Sequence, residues 1–202
     1  MRRALLSSAY FGPVQWYQKL HRYDRCTIER HDNYVKQTYR NRCVIATANG
    51  PQTLTVPIER YDGDKCPMRD IRISDHGSWR HLHRNALVSA YGESPFFDYY
   101  ADDVLPFFER RWTYLFDFNM EIMSTMCSLL DIEPTVDASD EYLTDADADD
   151  YRDAIRPKHP LDDPSFEPRP YYQVYALRHG FLPNISILDL LFNEGPESVL
   201  YL

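Results

Sequence analysis

The sequence predicts an α/β protein: an N-terminal βαβ core, a β-hairpin extension, several helices, and a buried helix that closes the chain at its C-terminus. Three observations carry that expectation. First, the apolar run "RRALLSS" leads through Gly12–Pro13 into helically spaced Val14, Trp16, Tyr17 and Leu20. "CTIERH" follows, so strand, helix and strand occupy about 30 residues, the length of a βαβ unit. Second, β-branched residues flank "ANGPQ", whose Asn49–Gly50 pair is a hairpin turn signal. Third, residues 180–202, "GFLPNISILDLLFNEGPESVLYL", are almost wholly apolar, whereas ordinary termini are polar and fray.

A strand joined to the next by a crossover helix pairs with it in parallel, so residues 1–30 read as a Rossmann-like core. The hairpin is followed by "KCPMRDIRIS", which has the alternation of another strand. "DHGSWRHLHRNALVSAYG" predicts a helix with Asp75 as N-cap and Gly92 at its end. "PFFDYYADDVLPFFERRW" and "FDFNMEIMSTMCSLLDI" predict two more, the second with Ile122, Met126, Leu129 and Leu130 on one face. Residues 137–153 then hold eight carboxylates and one Arg, and residues 157–170 hold five prolines. Such a composition buries too little apolar surface to offset its ordering entropy. A mobile or extended insert at about 137–169 is therefore expected within a single domain spanning residues 1–202. Its "DADADD" run lacks the turn glycine and ligand spacing of a calcium loop. In the tail, Ser186 and Asp189 fit a capping pair and Gly195–Pro196 a helix stop, so "ISILDLLFN" reads as a short buried helix.

Length and charge bound the function. A chain of 202 residues can bury a sizeable core without disulfides. Cys26, Cys43, Cys66 and Cys127 lack CxxC spacing, which suits free thiols in a reducing cytosol. The opening residues form no export signal, and no segment approaches the roughly 18 apolar residues of a membrane span. A cytoplasmic protein is expected. The net charge is −9, with 17 Lys and Arg against 13 Asp and Glu in residues 1–111, and 5 against 18 thereafter. That balance argues against a nucleic-acid partner, while leaving room for a local anionic ligand on the N-terminal half. GxGxxG, GxxxxGK[ST], GxSxG and HExxH are all absent, as is a HxGH pair, so dinucleotide oxidoreductases, P-loop kinases, common hydrolases and that type of nucleotidylyl transferase are disfavoured.

Three stretches and the tail hold candidate site residues. In "YFGPVQWYQKL", at the end of the first strand, Tyr10 and Gln15 could orient a ligand that approaches the Gly12 backbone and a helix N-terminus. A tight turn explains the Gly–Pro pair equally well. In "YVKQTYRNR", Lys36, Arg40 and Arg42 interleave with Tyr34, Tyr39 and Asn41, a pattern suited to phosphate and a sugar or base face. The bland reading is a solvated basic strand edge. In "DHGSWRHLHRNAL", His76 and His83 are two helical turns apart and give too few converging ligands for zinc. His83 reads better as a general base, against the alternative of a hydrogen-bonded core histidine. In the tail, Ser186, Asp189 and Asn193 form one narrow polar stripe, with Asn184 just before it. Lys and Arg of residues 34–42 are the expected partners of these buried groups.

Read together, these stretches resemble the WbqC-like protein family. "SAYFGPVQWYQKL" matches its opening motif at Tyr10, Phe11, Pro13, Tyr17 and Leu20. "YVKQTYRNRCVI" matches a second at Lys36, Asn41, Arg42 and Ile45. Trp79, His83, Leu87, Tyr91, Pro95 and Phe96 match a third, and "PNISILDLLFNEGPE" nearly reproduces the family's end. Ser8–Ala9 stands in place of a usual Gln–Pro, and Arg30–His31 in place of a usual acidic pair. The resemblance implies bacterial surface-polysaccharide, O-antigen-type, biosynthesis. The expected activity is a transferase moving an acyl or aminoacyl group onto an activated amino sugar or sugar nucleotide, without cofactor or metal. Lys36 and Arg42 would hold the phosphate, Tyr10 and Asn41 would orient the sugar, His83 would be the base with Asp189 as the second catalytic side chain, and Asp189 and Asn193 would close the site from the tail. The alternative is a non-catalytic sugar-nucleotide-binding or assembly protein that works with other glycan-pathway enzymes.

Overall fold

A computed structural model of the chain describes residues 1–144 and 147–202. Asp145 and Ala146, in the run weighed as a calcium loop, lie outside the described residues. The chain opens with β1 (Arg3–Ser7), α1 (Val14–Arg22) and β2 (Arg25–Glu29), and the two strands pair in parallel with Leu5 opposite Thr27. Helix α1 buries every residue from Val14 to Leu20, and Lys19, His21 and Arg22 in its last turn complement its dipole. Two short strands complete the sheet. β5 (Val136–Ala138) adds to β2 and β6 (Asp149–Asp150) adds to β1, both parallel, giving the order β5-β2-β1-β6. Both outer strands therefore come from the border or interior of the acidic stretch, where pairing to an existing strand satisfies backbone groups without apolar side chains.

β3 (Arg42–Thr47) and β4 (Gly50–Thr55) form the hairpin. The two connecting residues are Ala48 and Asn49, one position earlier than expected. Gly50, with φ +101°, begins β4, and Thr47 Oγ1 donates to its carbonyl at 2.8 Å. The strand expected over "KCPMRDIRIS" is absent. Pro67 opens a single 3₁₀ turn at Met68–Asp70, and only isolated bridges follow, Ile58 to Ile73 and Arg72 to Tyr114. Helix α2 runs from Trp79 to Tyr91. It starts three residues later than the sequence implies, with Ser78 in the N-cap position, because Gly77 turns the chain at φ +71° and Asp75 pairs with Arg80 (2.7 Å) and Arg111 (3.4 Å). His76 thus lies off the helix that carries His83. The next expected helix is divided into α3 (Phe97–Val104) and a 3₁₀ segment containing Pro106, while α4 spans Leu115–Leu129. A short α5 (Ala176–His179) precedes α6 (Ile187–Glu194), whose residues from Ile187 to Asn193 are all buried.

The tail is stitched to the loop after β1. Val14 N–H donates to the Ile185 carbonyl (3.1 Å), Ile187 N–H to the Gly12 carbonyl (2.9 Å) and Ser186 N–H to Val44 on β3 (2.8 Å). Asn184 Oδ1 accepts from Gln15 N–H and its Nδ2 donates to Gln15 Oε1, each at 2.9 Å. Ser186 caps α6 and donates from Oγ to the Phe11 carbonyl (2.8 Å). Gly12 is needed here because a Cβ would stand 2.8 Å from that of Ala9. The close approach is therefore made by the protein's own chain.

Asn184 sits at φ +53° and supplies a side-chain cap to α1. Asn184→Ala is expected to lose about 2 kcal/mol of unfolding free energy in urea, one part from the cap and one from the backbone conformation. Asn184→Gly, which suits that backbone, is expected to lose less.

Candidate functional site

At the carboxyl edge of the sheet, β2 ends on Glu29, which is completely buried. One oxygen accepts from His31 N–H (2.8 Å) and Ser139 Oγ (2.7 Å). The other accepts from Leu143 N–H (2.8 Å) and faces Arg152 Nη1 at 3.5 Å. Burial opposes its ionisation, yet the donors from Leu143, Ser139 and His31, with the Arg152 charge, hold its pKa below the ordinary value. Three residues on, Asp32 is buried against Arg40. Here burial outweighs the Arg40 guanidinium, the Glu29 charge adds to it, and the Asp32 pKa is raised. Two neighbouring carboxyls are thus driven in opposite directions.

A cavity of 260 Å³ opens beside them, lined by Asp32, Arg40, Tyr142 and Arg152 among others. Arg152 is clamped by Asp150 (2.7 Å) and lies over the Tyr142 ring at 5.1 Å. Asp32 Oδ1 and Arg40 Nε are buried and lack a hydrogen-bond partner among the described residues. Buried polar atoms are normally paired, so orphans beside a cavity mark a place where a polar ligand can complete them.

The side chains singled out in the sequence fall into separate groups. Tyr10 and His83 meet in the aromatic core, with the tyrosine hydroxyl 2.8 Å from Nδ1 and Trp79 and Phe108 packed on the imidazole. Burial pushes the His83 pKa down to about 4, while the Thr55 backbone faces the ring and opposes that shift. The ring is neutral and enclosed. Gln15 and Asn184 clasp each other, and Gln15 Nε2 also donates to Asp163 at 2.8 Å. Asn41 donates to the Val56 carbonyl (2.8 Å) and pins the end of the hairpin. Arg42 begins β3, half-buried, and Lys36 is exposed beside a different cavity.

Asp189 and Asn193 find partners other than the expected Lys and Arg of residues 34–42. Asp189 Oδ2 accepts from Tyr171 Oη and Gln173 Nε2, both at 2.7 Å. Asn193 donates back to the Asp189 carbonyl within the same helix. Asp32 and Arg152 in the cavity, and Glu29 beside it, are thus residues that sequence reasoning did not select, whereas Arg40 belongs to the basic stretch it singled out. A charged residue closing a buried parallel strand is the signal that marks Glu29. Among the described residues, no group of three or more His, Cys, Asp or Glu is placed to hold a metal ion, and no helix is long and apolar enough to cross a membrane.

Fold and site together define an α/β domain with a charged, partly unsatisfied cavity at the carboxyl edge of its parallel sheet. Residues 8–159, which include every residue that lines the cavity, match the WbqC-like protein family. The chain belongs to that family, which is linked to polysaccharide biosynthesis in general. It is also 28% identical over 226 residues to "Uncharacterized protein Rv1507c" of Mycobacterium tuberculosis (strain ATCC 25618 / H37Rv), covering 98% of this chain and 96% of that protein. No solved structure matches it.

Two enclosed groups give opposite pH signatures. His83 has a folded pKa below its unfolded one, so its contribution is complete above about 6.5 and is lost as pH falls through about 4. His83→Gln is expected to flatten the unfolding free energy across that window in urea titrations. Burial raises the Asp189 pKa to about 6, so its contribution is greatest in acid and declines as pH rises to that value. Asp189→Asn is expected to remove this decline and to leave stability at pH 7 equal to or above that of the parent protein.

Proposed function

We propose that the protein is a transferase of surface-polysaccharide biosynthesis, moving an acyl or aminoacyl group onto the amine of an activated amino sugar or sugar nucleotide. The observation that carries this reading is the divergence of Glu29 and Asp32. Paired carboxyls with pKa values pushed apart are how a site separates a fixed charge from a proton acceptor. Glu29 stays ionised and orients Arg152, and Asp32 takes the proton. The amine nitrogen attacks the carbonyl carbon of an activated carboxylic acid donor, the C–N bond forms, and the bond to the donor's leaving group breaks with its electron pair. The amine's proton passes to Asp32. Arg40 and Arg152 supply donors for the sugar's oxygens or a phosphate, through the planar fork that suits both.

The strand order supports a Rossmann-like reading. Numbered within the sheet it is 3-2-1-4, with the reversal of direction at β1, the place where open α/β sheets bind ligands. Tyr10 and His83 act in this scheme as positioning residues, since their hydrogen bond fixes the loop between β1 and α1. At 260 Å³ the cavity falls just below the roughly 300–1,000 Å³ of usual small-molecule sites and suits a sugar ring rather than a whole sugar nucleotide. One observation favours the second reading, a non-catalytic sugar-nucleotide-binding or assembly protein. His83 and Asp189, the two side chains that sequence reasoning gives a catalytic part, are both enclosed.

Nucleotide sugars that raise the melting temperature of the protein identify the ligand, and mass spectrometry of the sugar then detects transfer from acyl donors. Asp32→Asn is expected to lower turnover by about 100-fold, the usual scale of one general base, while the ligand-induced shift persists. Arg152→Ala is expected to reduce the shift. Absence of transfer from every acyl donor to a sugar that binds would refute the transferase reading, and unchanged turnover in a folded Asp32→Asn protein would refute Asp32 as its base.

A further inference from the structure

The connection from Asp32 to Asn41 forms a wall between two cavities. Val35 lines the cavity just described, and Lys36, the next residue, lines another of 420 Å³. Consecutive Cα atoms stand about 3.8 Å apart, so a single thickness of backbone separates the two spaces. The far wall of the second cavity is the loop from Ile58 to Asp64.

The charges in this second space are uncommitted. Lys36 and Arg60 are exposed, and among the described residues neither side chain has a hydrogen bond or ion pair. Glu59 is paired with Arg72 at 3.1 Å, which leaves Asp64 as the free carboxylate. Tyr61 contributes a half-buried ring. Two free cations match the oxygens of a diphosphate, a free carboxylate can accept from ribose hydroxyls, and a tyrosine ring offers a stacking face for a base.

We propose that the Lys36–Arg60–Tyr61 cavity binds the nucleoside diphosphate portion of a substrate that crosses the exposed Val35–Gln37 edge of the Asp32–Asn41 connection and places its sugar ring in the neighbouring cavity at Asp32 and Arg152. The substrate class rests on the sugar-nucleotide reading above, but the site uses different residues. A split of this kind accounts for the small volume of the first cavity. It also separates binding from chemistry: the anchoring charges stand on one side of the wall and the divergent carboxyls on the other.

Isothermal titration of the full chain with UDP, GDP, inorganic pyrophosphate and uridine tests this directly. The diphosphates are expected to bind, with Lys36→Ala and Arg60→Ala each weakening them about 10-fold, the scale of one charge-assisted hydrogen bond. Both side chains are exposed, so the variants should fold, and circular dichroism checks that they do. Tyr61→Ala is expected to weaken UDP and GDP more than pyrophosphate, and Asp32→Asn to leave all of them unchanged. The proposal fails if no diphosphate binds, if binding ignores both cation substitutions, or if UDP and GDP bind no better than pyrophosphate. Diphosphate binding at Lys36 and Arg60, in a protein that transfers no acyl group to any bound sugar, would uphold this site while removing the transferase reading. Loss of turnover in Asp32→Asn with no effect at Lys36 and Arg60 would do the reverse.

Discussion

The docking of residues 184–187 onto the loop after β1 is the constraint on which the remainder of the architecture turns. In many open α/β proteins the N–H groups at the start of the first helix are left free for an anion. Here Val14 and Gln15 give theirs to Ile185 and Asn184, so the helix start is satisfied from within the chain. The same few residues reach β3 through the Val44 carbonyl, tying sheet, hairpin and tail at one point. Helix α6 is thereby fixed in the core, where Phe192 packs on Tyr91 and Phe97 with ring centroids 5.2 and 5.0 Å apart. Gly195 ends it against Phe96, so closely that a Cβ would overlap the ring.

Sealing that helix start displaces the chemistry along the sheet edge. What stays open at the carboxyl ends is the space between the Asp32–Arg40 pair and the segment that carries Tyr142 and Arg152. Glu29 organises it, because a buried carboxylate persists only when its lone pairs are filled, and four donors converge on it from three parts of the chain. Ser139 serves two sides, donating to Glu29 while its carbonyl accepts from Arg30 Nε (2.7 Å) and faces His31 Nε2 (3.2 Å). The Arg30–His31 pair, a departure from the family pattern, thus anchors the acidic segment instead of presenting charge to a ligand.

What the sequence made legible follows from local physics. β1, α1 and β2, the hairpin, and the buried α6 with its serine cap and glycine stop are each encoded by periodicity or turn chemistry within a few residues. The errors have nonlocal causes. Asp75 looks like a cap until Arg80 and Arg111 claim it, and the polar stripe of α6 points at Tyr171 and Gln173, residues that no periodicity connects to it. His83 stands in a motif-like position, but Tyr10 and Phe108 are brought to it from two distant segments to join Trp79 of its own helix. The cavity was illegible for the same reason. Asp32 and Arg40 are eight residues apart, whereas Arg152 arrives from beyond the acidic stretch, and only the fold makes them one group.

Lys19 ties the segment after residue 137 to the first helix. Its side chain is 1% exposed, which for an ammonium is tolerable only with full compensation. Asp163 supplies a carboxylate at 2.6 Å, Ser165 a hydroxyl at 2.7 Å, Gln18 an amide oxygen at 3.0 Å, and the Tyr151 ring lies 4.7 Å away. Three of those four partners belong to the stretch rich in acid and proline. Asp163 also binds Gln15, which clasps Asn184, so the insert, α1 and the tail share one polar chain. Removing Asp163 alone would strand a buried cation, a far larger penalty than losing an exposed ion pair. The insert therefore positions Tyr142 and Arg152 through a charge that lies in α1, and the shape of the cavity depends on a lysine that never touches it.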